Sequence, residues 1–376
     1  MKKIWSFVRR EAVLTAAVLL AAVSMAFVPP DAQYVSYINY RVLAILAGFM
    51  VAMSGLERLG VFTEIARSLL AVARGARSTA AVLILLCFFL SMAITNDVAL
   101  ITFVPLTLET LQLMRRPDLA VRIVALQTAA ANLGSMATPI GNPQNIYLFD
   151  RMGVSFPAFL RIMLLPAGVS LALLLLAVWL LIRENAPAPE RGSPARCGTV
   201  RKIPAWKLSV FLAAFALNVA TVLDLVPYWL ALPITIAAAL AADRRALKMD
   251  LSLLATFAAF FIFIGNVQRI GAVAEFLRET VGGRELISGI LLSQVISNVP
   301  ATILLSGFTE RLRALLYGVS LGGLGTLISS MANLISYKYI VNAEGQSARR
   351  YVLFFSLLSV ALLVPLCLVV RLFCMR

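Results

Sequence analysis

The chain has 376 residues, 61% of them hydrophobic and 14% charged, with a mean hydropathy of +0.91 and a net charge of +15. A soluble globular chain is nearer roughly 45–50% apolar and 25% charged, so no water-soluble fold could bury this much apolar surface and the bilayer must be the solvent. There is no histidine, which excludes His-based catalysis, His metal sites and His proton relays. The four cysteines lack metal-ligand spacing. The apolar runs do not alternate as the strands of a transmembrane barrel do, so the sequence predicts an all-α polytopic membrane protein. In chain order, nine crossings are expected over about 12–28, 40–56, 119–149, 157–182, 206–223, 228–242, 251–266, 313–341 and 350–373. Most reach the roughly 17–25 residues that span a bilayer as helix. The first run follows MKKIWSFVRR and reads as a retained helix rather than a cleaved leader. Two more apolar segments, about 79–113 and 285–310, read as hairpins that enter and leave on one side. Residues 183–207, RENAPAPERGSPARCGTVRKIPAWK, read as a cytoplasmic linker.

Charge sets the orientation. With the N-terminus inside, the inner segments hold 23 of the 33 Lys and Arg and the outer side 10. The positive-inside rule therefore predicts a cytoplasmic N-terminus and an external C-terminus. The same distribution, basic residues between apolar spans, accounts for the net charge without nucleic acid. The expected location is the bacterial inner (plasma) membrane.

The chain repeats itself. ERLGVFTEIAR (Glu57–Arg67) aligns without gaps to QRIGAVAEFLR (Gln268–Arg278), TNDVALI (Thr95–Ile101) to SNVPATI (Ser297–Ile303), and NLGSMATPIGNPQNI (Asn132–Ile146) to SLGGLGTLISSMANL (Ser320–Leu334). The offsets fall from 211 to 202 to 188, as they would if the second copy had shorter connections. The predicted first repeat covers 40–182 and the second 208–373, within a single membrane unit over 1–376. Five expected crossings separate the two starts, and an odd number turns the second copy upside down. Inverted repeats around a midplane site are a recurrent transporter architecture. The amphipathic segments 57–75 and 267–284 are then expected on opposite membrane surfaces.

Polar residues inside the apolar segments mark the candidate site. Thr95, Asn96 and Asp97 sit mid-stretch, and Ser297, Asn298 and Val299 are their counterparts. Backbone at a buried hairpin tip lacks helix partners and is tolerated only where protein or a watery cavity satisfies it. The helix starting after each Asn offers free N–H donors to an anion, and the carbonyls before it suit a cation such as Na⁺. Thr138, Gly141, Asn142 and Asn145 lie in TPIGNPQN, whose two prolines and glycine must break a helix. Their counterparts Thr326, Ser329, Ser330 and Asn333 lie in TLISSMAN, which lacks the prolines, so its break is inferred from the repeat. Asp97 is the carboxylate placed near the midplane, where it can bind a coupling proton, help hold Na⁺ near Asn96 and Asn142, or cap the following helix. No other metal and no cofactor is expected. Asp150 and Asp224 read as interfacial residues. The small-residue stretches 129–137 and 318–325 read as close-packing surfaces.

These phrases carry a resemblance. TNDVALITFVPL and ANLGSMATPIGNPQN resemble the first hairpin tip and first broken helix of the ion transporter superfamily, and SQVISNVPATILL resembles its second hairpin. That group includes arsenite permeases, citrate–metal transporters, NhaD-type sodium/proton antiporters and divalent-anion:sodium symporters. The resemblance covers about residues 40–373 and is closest to small anion permeases of the citrate and arsenite type. It implies a scaffold domain, often dimeric, and a transport domain carrying both hairpins. In the divalent-anion symporters both tips read Ser-Asn-Thr and hold Na⁺ and a substrate carboxylate. Here the asparagines carry over and the third positions, Asp97 and Val299, do not, nor does the second Thr-Pro-Pro. Asp97 resembles the acid of the arsenite-permease and antiporter branches, which brings in proton coupling beside Na⁺. The expected function is secondary transport of a small anion, an organic carboxylate or an inorganic oxyanion such as arsenite, coupled to H⁺ or Na⁺. The alternative is a Na⁺/H⁺ antiporter using Asp97. An enzyme is not expected.

Overall fold

The computed structural model describes residues 11–183, 203–249 and 251–375. The expected linker lies outside the described residues except at its ends. Among the described residues every regular element is helical, and the molecule is an all-α polytopic membrane protein. The first half contains α1 (Ala12–Phe27), α2 (Tyr40–Leu59), α3 (Val61–Leu70), α4 (Ala76–Ile94), α5 (Asn96–Leu113), α6 (Ala120–Ser135), α7 (Pro143–Met152) and α8 (Phe156–Leu181). The second half contains α9 (Ala205–Val222), α10 (Tyr228–Asp243), α11 (Leu251–Arg269), α12 (Gly271–Val281), α13 (Glu285–Ile296), α14 (Asn298–Ser306), α15 (Leu312–Leu321), α16 (Met331–Asn342) and α17 (Ala348–Val369). Six helices among the described residues are long and apolar enough to cross a membrane.

The expected crossings 119–149 and 313–341 are each two half-helices, α6 with α7 and α15 with α16, separated by irregular backbone over 136–142 and 322–330. The two hairpins are α4–α5 and α13–α14. Their arms differ in length: 19 and 18 residues in the first, 12 and 9 in the second. At 1.5 Å per residue these are about 28 and 27 Å against about 18 and 14 Å. The second is re-entrant by length alone. The first is not re-entrant by length: its arms fill the expected segment 79–113, each is about as long as a bilayer core is thick, and α4 is one of the six helices long and apolar enough to cross.

Helix contacts divide the chain into two bodies. In one, α2 packs on α9 and α10, and α11 packs on α1. In the other, α6 is a central post against α4, α5, α8, α16 and α17, while α13 packs on α14 and α15. The second body thus holds both hairpins and both breaks. The two bodies meet where α2 touches α7 and α11 touches α14.

The post is buried along its whole length apart from Arg122. Its alanines and Gly134 let neighbours close in. A methyl group at Gly134 would fall 2.0 Å from the Phe88 carbonyl oxygen, and one at Gly318 would fall 2.6 Å from that of Leu286. Buried polar groups on the post are paired, as an interior without water requires. Thr107 Oγ1 donates to Gln127 Oε1 (2.9 Å), and Thr128 Oγ1 donates to Ser336 Oγ (2.7 Å). Arg77 and Arg122 donate to the carbonyls of Ile182 and Leu181 (2.9 and 3.1 Å). They satisfy the C-terminal end of α8, where cations are favoured. By contrast α8 and α17 expose large apolar side chains such as Leu164, Trp179, Leu357 and Leu368, surfaces suited to lipid.

Candidate transport site

Each hairpin turns on one residue with left-handed backbone. Thr95 has φ 65° and ψ 151°, and Ser297 has φ 75° and ψ 155°. This region is nearly reserved for glycine and costs about 1–3 kcal/mol per residue. Two non-glycine residues aligned by the repeat adopt it alike, so the tips are held in place by what surrounds them.

The turn places Asn96 and Asn298 at the starts of α5 and α14. Asn96 Nδ2 donates to Asn132 Oδ1 (3.0 Å) and to Ser330 Oγ (3.4 Å), and its Oδ1 accepts from the Asp97 backbone N–H (3.0 Å). The backbone N–H of Asn298 donates to the Ser329 carbonyl (3.0 Å). Both tips therefore dock on the second break, and the first is also tied to the post. Asn132 goes on to donate from Nδ2 to Asn333 Oδ1 (2.8 Å).

The two breaks share one hydrogen-bond frame. Asn145 Nδ2 donates to the Ser135 and Thr138 carbonyls (3.1 and 2.9 Å). Asn333 Nδ2 donates to the Gly323 and Thr326 carbonyls (3.0 and 2.9 Å). Thr138 Oγ1 donates to the Met92 carbonyl of the first hairpin, and Thr326 Oγ1 to the Gln294 carbonyl of the second (3.1 Å). The half-helices after the breaks start from matching extended residues, Asn142 at φ −146°, ψ 149° and Ser330 at φ −149°, ψ 142°. The second break, expected from the repeat alone, is thus present in the same geometry as the first.

Between the two bodies lies a cavity of two lobes, about 430 and 380 Å³, which share Asp97, Pro143, Leu253, Met331 and Ile335. One wall is α2 and α11, with Phe49, Met53 and Thr256; the other is the tips and half-helix starts. Seven of the thirteen residues singled out from the sequence line it: Thr95, Asn96, Asp97, Asn142, Ser297, Asn298 and Ser330. The other six, Thr138, Gly141, Asn145, Thr326, Ser329 and Asn333, line neither lobe and hold the breaks from behind. Gly141 is required there, because a methyl group would fall 2.1 Å from the Ser135 carbonyl oxygen. Ser329 Oγ instead donates to the Gly323 and Thr326 carbonyls (both 2.9 Å). Exposed Lys248 and Lys338 line the outer parts of the lobes.

Three features escaped sequence reasoning. Asn132 is the junction between the first tip and the second half; an amide within an alanine run was its signal. Gln144, 1% exposed, lines the second lobe. Asp150 and Asp224, expected to be plain interfacial residues, both pair with Arg41 (3.2 and 2.6 Å), and Asn39 Nδ2 donates to Asp150 (2.7 Å). That cluster joins the two bodies on the far side of α7.

Apolar helices of membrane-crossing length, two helix breaks and a cavity between two bodies reached by both hairpin tips are the marks of a polytopic membrane transporter, not an enzyme. Comparison with known proteins gives the family. Residues 4–309 match the citrate transporter family, CitMHS, and the chain belongs to it. It is 33% identical over 328 residues to the inner membrane protein YbiR of Escherichia coli, covering 85% of this chain and 86% of that one. It is also 33% identical over 258 residues to an uncharacterized transporter of Methanocaldococcus jannaschii (68% and 69% of the two chains). A shorter similarity, 32% over 184 residues, links it to a silicon efflux transporter of Oryza sativa subsp. japonica (47% and 37%).

Proposed function

We propose that this integral membrane transporter moves a small anion, an organic carboxylate or an inorganic oxyanion of the arsenite kind, coupled to H⁺ or Na⁺ at Asp97. The observation that carries the reading is the convergence of both hairpin tips and both half-helix starts on one cavity between two bodies. Four helix N-termini converge there, and their partial positive charge favours an anion. Neutral amides and hydroxyls line the same space, and Asp97 borders both lobes. The names of the relatives agree in kind, with a citrate transporter family and a silicon efflux transporter. The N-terminus is proposed to be cytoplasmic, so the cavity, on the side of Lys248 and Lys338, is open inward. A coupling Na⁺ would use oxygens near Asn96, Asp97 and Asn142. The dimer is a proposal from the family resemblance.

Asp97 also supports a second reading, a Na⁺/H⁺ antiporter, because it is the acid shared by the two lobes and its repeat partner is Val299. Purified protein in proteoliposomes distinguishes the two. Saturable counterflow of citrate, arsenite or silicate that depends on Na⁺ or a pH gradient supports the first. A Na⁺-driven pH change without any added anion sinks it and supports the second.

A further inference from the structure

The donors and acceptors lining the cavity are largely used by the protein itself. Asn96 spends both ends of its amide, Nδ2 on Asn132 and Ser330 and Oδ1 on the Asp97 N–H. Asn142 Nδ2 donates to Ser135 Oγ. Gln144 differs. It stands in the first turn of α7, is 1% exposed, lines the second lobe, and neither Nε2 nor Oε1 has a hydrogen-bond partner. A buried amide with both ends unpaired is costly and rare in native structures, so it asks for a ligand. The repeat sharpens this. The position equivalent to Gln144 is Ala332, fully buried beside Asn333. One half presents an amide where the other presents a methyl group, so the amide is not part of the frame that holds the breaks.

We infer that Gln144 is the specificity-determining residue of the transport site, and that it recognises an oxyacid bound with a proton still on it. The inference rests on the transporter reading above. Whichever way the amide is turned, it offers one donor and one acceptor side by side. A fully ionised carboxylate is acceptor-only and leaves Oε1 unpaired. A group carrying an O–H beside a bare oxygen, or two O–H groups on one centre, satisfies both ends. Charge points the same way. The lysines lining the lobes are exposed at their outer parts, and the acid shared by the lobes is Asp97. A multiply charged anion deep in the cavity would meet a carboxylate and neutral groups, whereas a neutral acid loses far less on leaving water, and a singly charged one less than a multiply charged one.

The test is counterflow in proteoliposomes of the full chain, with arsenous acid as the protonated probe and citrate as the ionised one. Wild type should prefer arsenous acid. Gln144→Met, close in volume, should raise its KM at least tenfold while unfolding at the wild-type temperature. Gln144→Glu supplies a readout that a structural role would not move. Ionised, the new side chain only accepts; protonated, it regains the donor and acceptor pair, so the ratio of its KM to the wild-type KM at the same pH should fall towards one as pH drops. Wild-type transport with an unaltered Gln144→Met KM, or a Gln144→Glu profile parallel to wild type, overturns the inference alone. Preference for citrate over arsenous acid overturns the ligand class. Failure of wild type to move either probe overturns the anion-transport reading together with this inference.

Discussion

The two helix breaks reach one geometry by different chemistry. The first is broken by Pro139, Gly141 and Pro143, and proline both removes an N–H and clashes with the preceding turn. The second has no proline. Its irregular backbone includes Gly322, Gly323 and Gly325, the last at φ +122°, a conformation that side chains rarely adopt. Freed carbonyls still need partners inside a membrane, and Gln294 of the second hairpin supplies them. Its Nε2 donates to the carbonyls of Ile290, Gly322 and Leu324, and its Oε1 accepts from the Thr326 N–H. The equivalent residue in the first hairpin, Met92, contributes only its backbone carbonyl to the break. Proline rigidity in one half is replaced by an amide clamp in the other.

The largest expected effect tests the other inequality between the halves, the acid at one tip. Asp97→Asn keeps the shape and removes the charge. Coupled transport in proteoliposomes should fall about a hundredfold or more, as expected of an intramembrane coupling group, with expression and unfolding temperature retained. Val299→Thr, at the equivalent position, should leave coupling intact. Full coupled activity in Asp97→Asn removes the carboxylate from the mechanism and leaves it the role of favouring the N-terminus of α5.

Next in size is the clamp. Gln294→Leu leaves two carbonyls in the second break and the Thr326 N–H without their partner, a loss of about 2–4 kcal/mol. Met92→Leu conserves volume and should cost less than about 1.5 kcal/mol. Thermal unfolding in detergent compares the two. Equal losses would mean that the second break is held by its glycines and its own Asn333, not by the hairpin.

The frame amides should differ by less. Asn145→Ala removes two donors to carbonyls, and Asn145 Oδ1 accepts nothing from the protein. Asn333→Ala removes the equivalent two donations, a further one to Ser329 Oγ (3.1 Å), and the acceptor for Asn132 Nδ2. The second substitution should therefore be costlier by about 1–2 kcal/mol, two hydrogen bonds. Equal unfolding temperatures would show that the Asn132–Asn333 and Asn333–Ser329 bonds add nothing.

Much of this was legible before any coordinates. Proline, glycine and asparagine in TPIGNPQN announce a break whatever surrounds them, because their effect is local. The breaks and hairpins are visible as a set because the same polar positions return in order. Legibility stopped where a residue's role depends on distance. Asn145 and Asn333 read as site residues because they are polar and membrane-embedded, yet each folds back on its own break. Gln144, next in sequence to Asn145, faces the cavity, and nothing in its type separates it from its neighbour. Arg41 lies 109 positions from Asp150 and 183 from Asp224, and both acids sit at helix ends, where an exposed carboxylate needs no partner. Their pairing could be found only from the packing of two bodies.

That pairing gives the smallest expected effect and a different kind of readout. Arg41 is one-third exposed and Asp150 one-fifth, so their ion pair is worth at most about 1 kcal/mol. Such a pair says little about folding. It does lie across the boundary between the two bodies, and a pair made in one arrangement and broken in another biases the equilibrium between them by its full strength. The repeat equivalent of Asp150 is Lys338, which lines the open lobe instead. Asp150→Asn should thus lower the population of the present arrangement by up to about fivefold, read as a changed distance distribution between spin labels on α10 and α17. Lys338→Gln breaks no contact across that boundary on the Arg41 side and should not lower it. The double variant Arg41→Gln with Asp150→Asn should shift no further than Arg41→Gln alone, because removing one partner already breaks the bond. If the double variant shifts further, Asp150 acts through Asn39 and not through the arginine. The bias would then come from a neutral hydrogen bond, and it would persist in high salt, where the ion pair is screened.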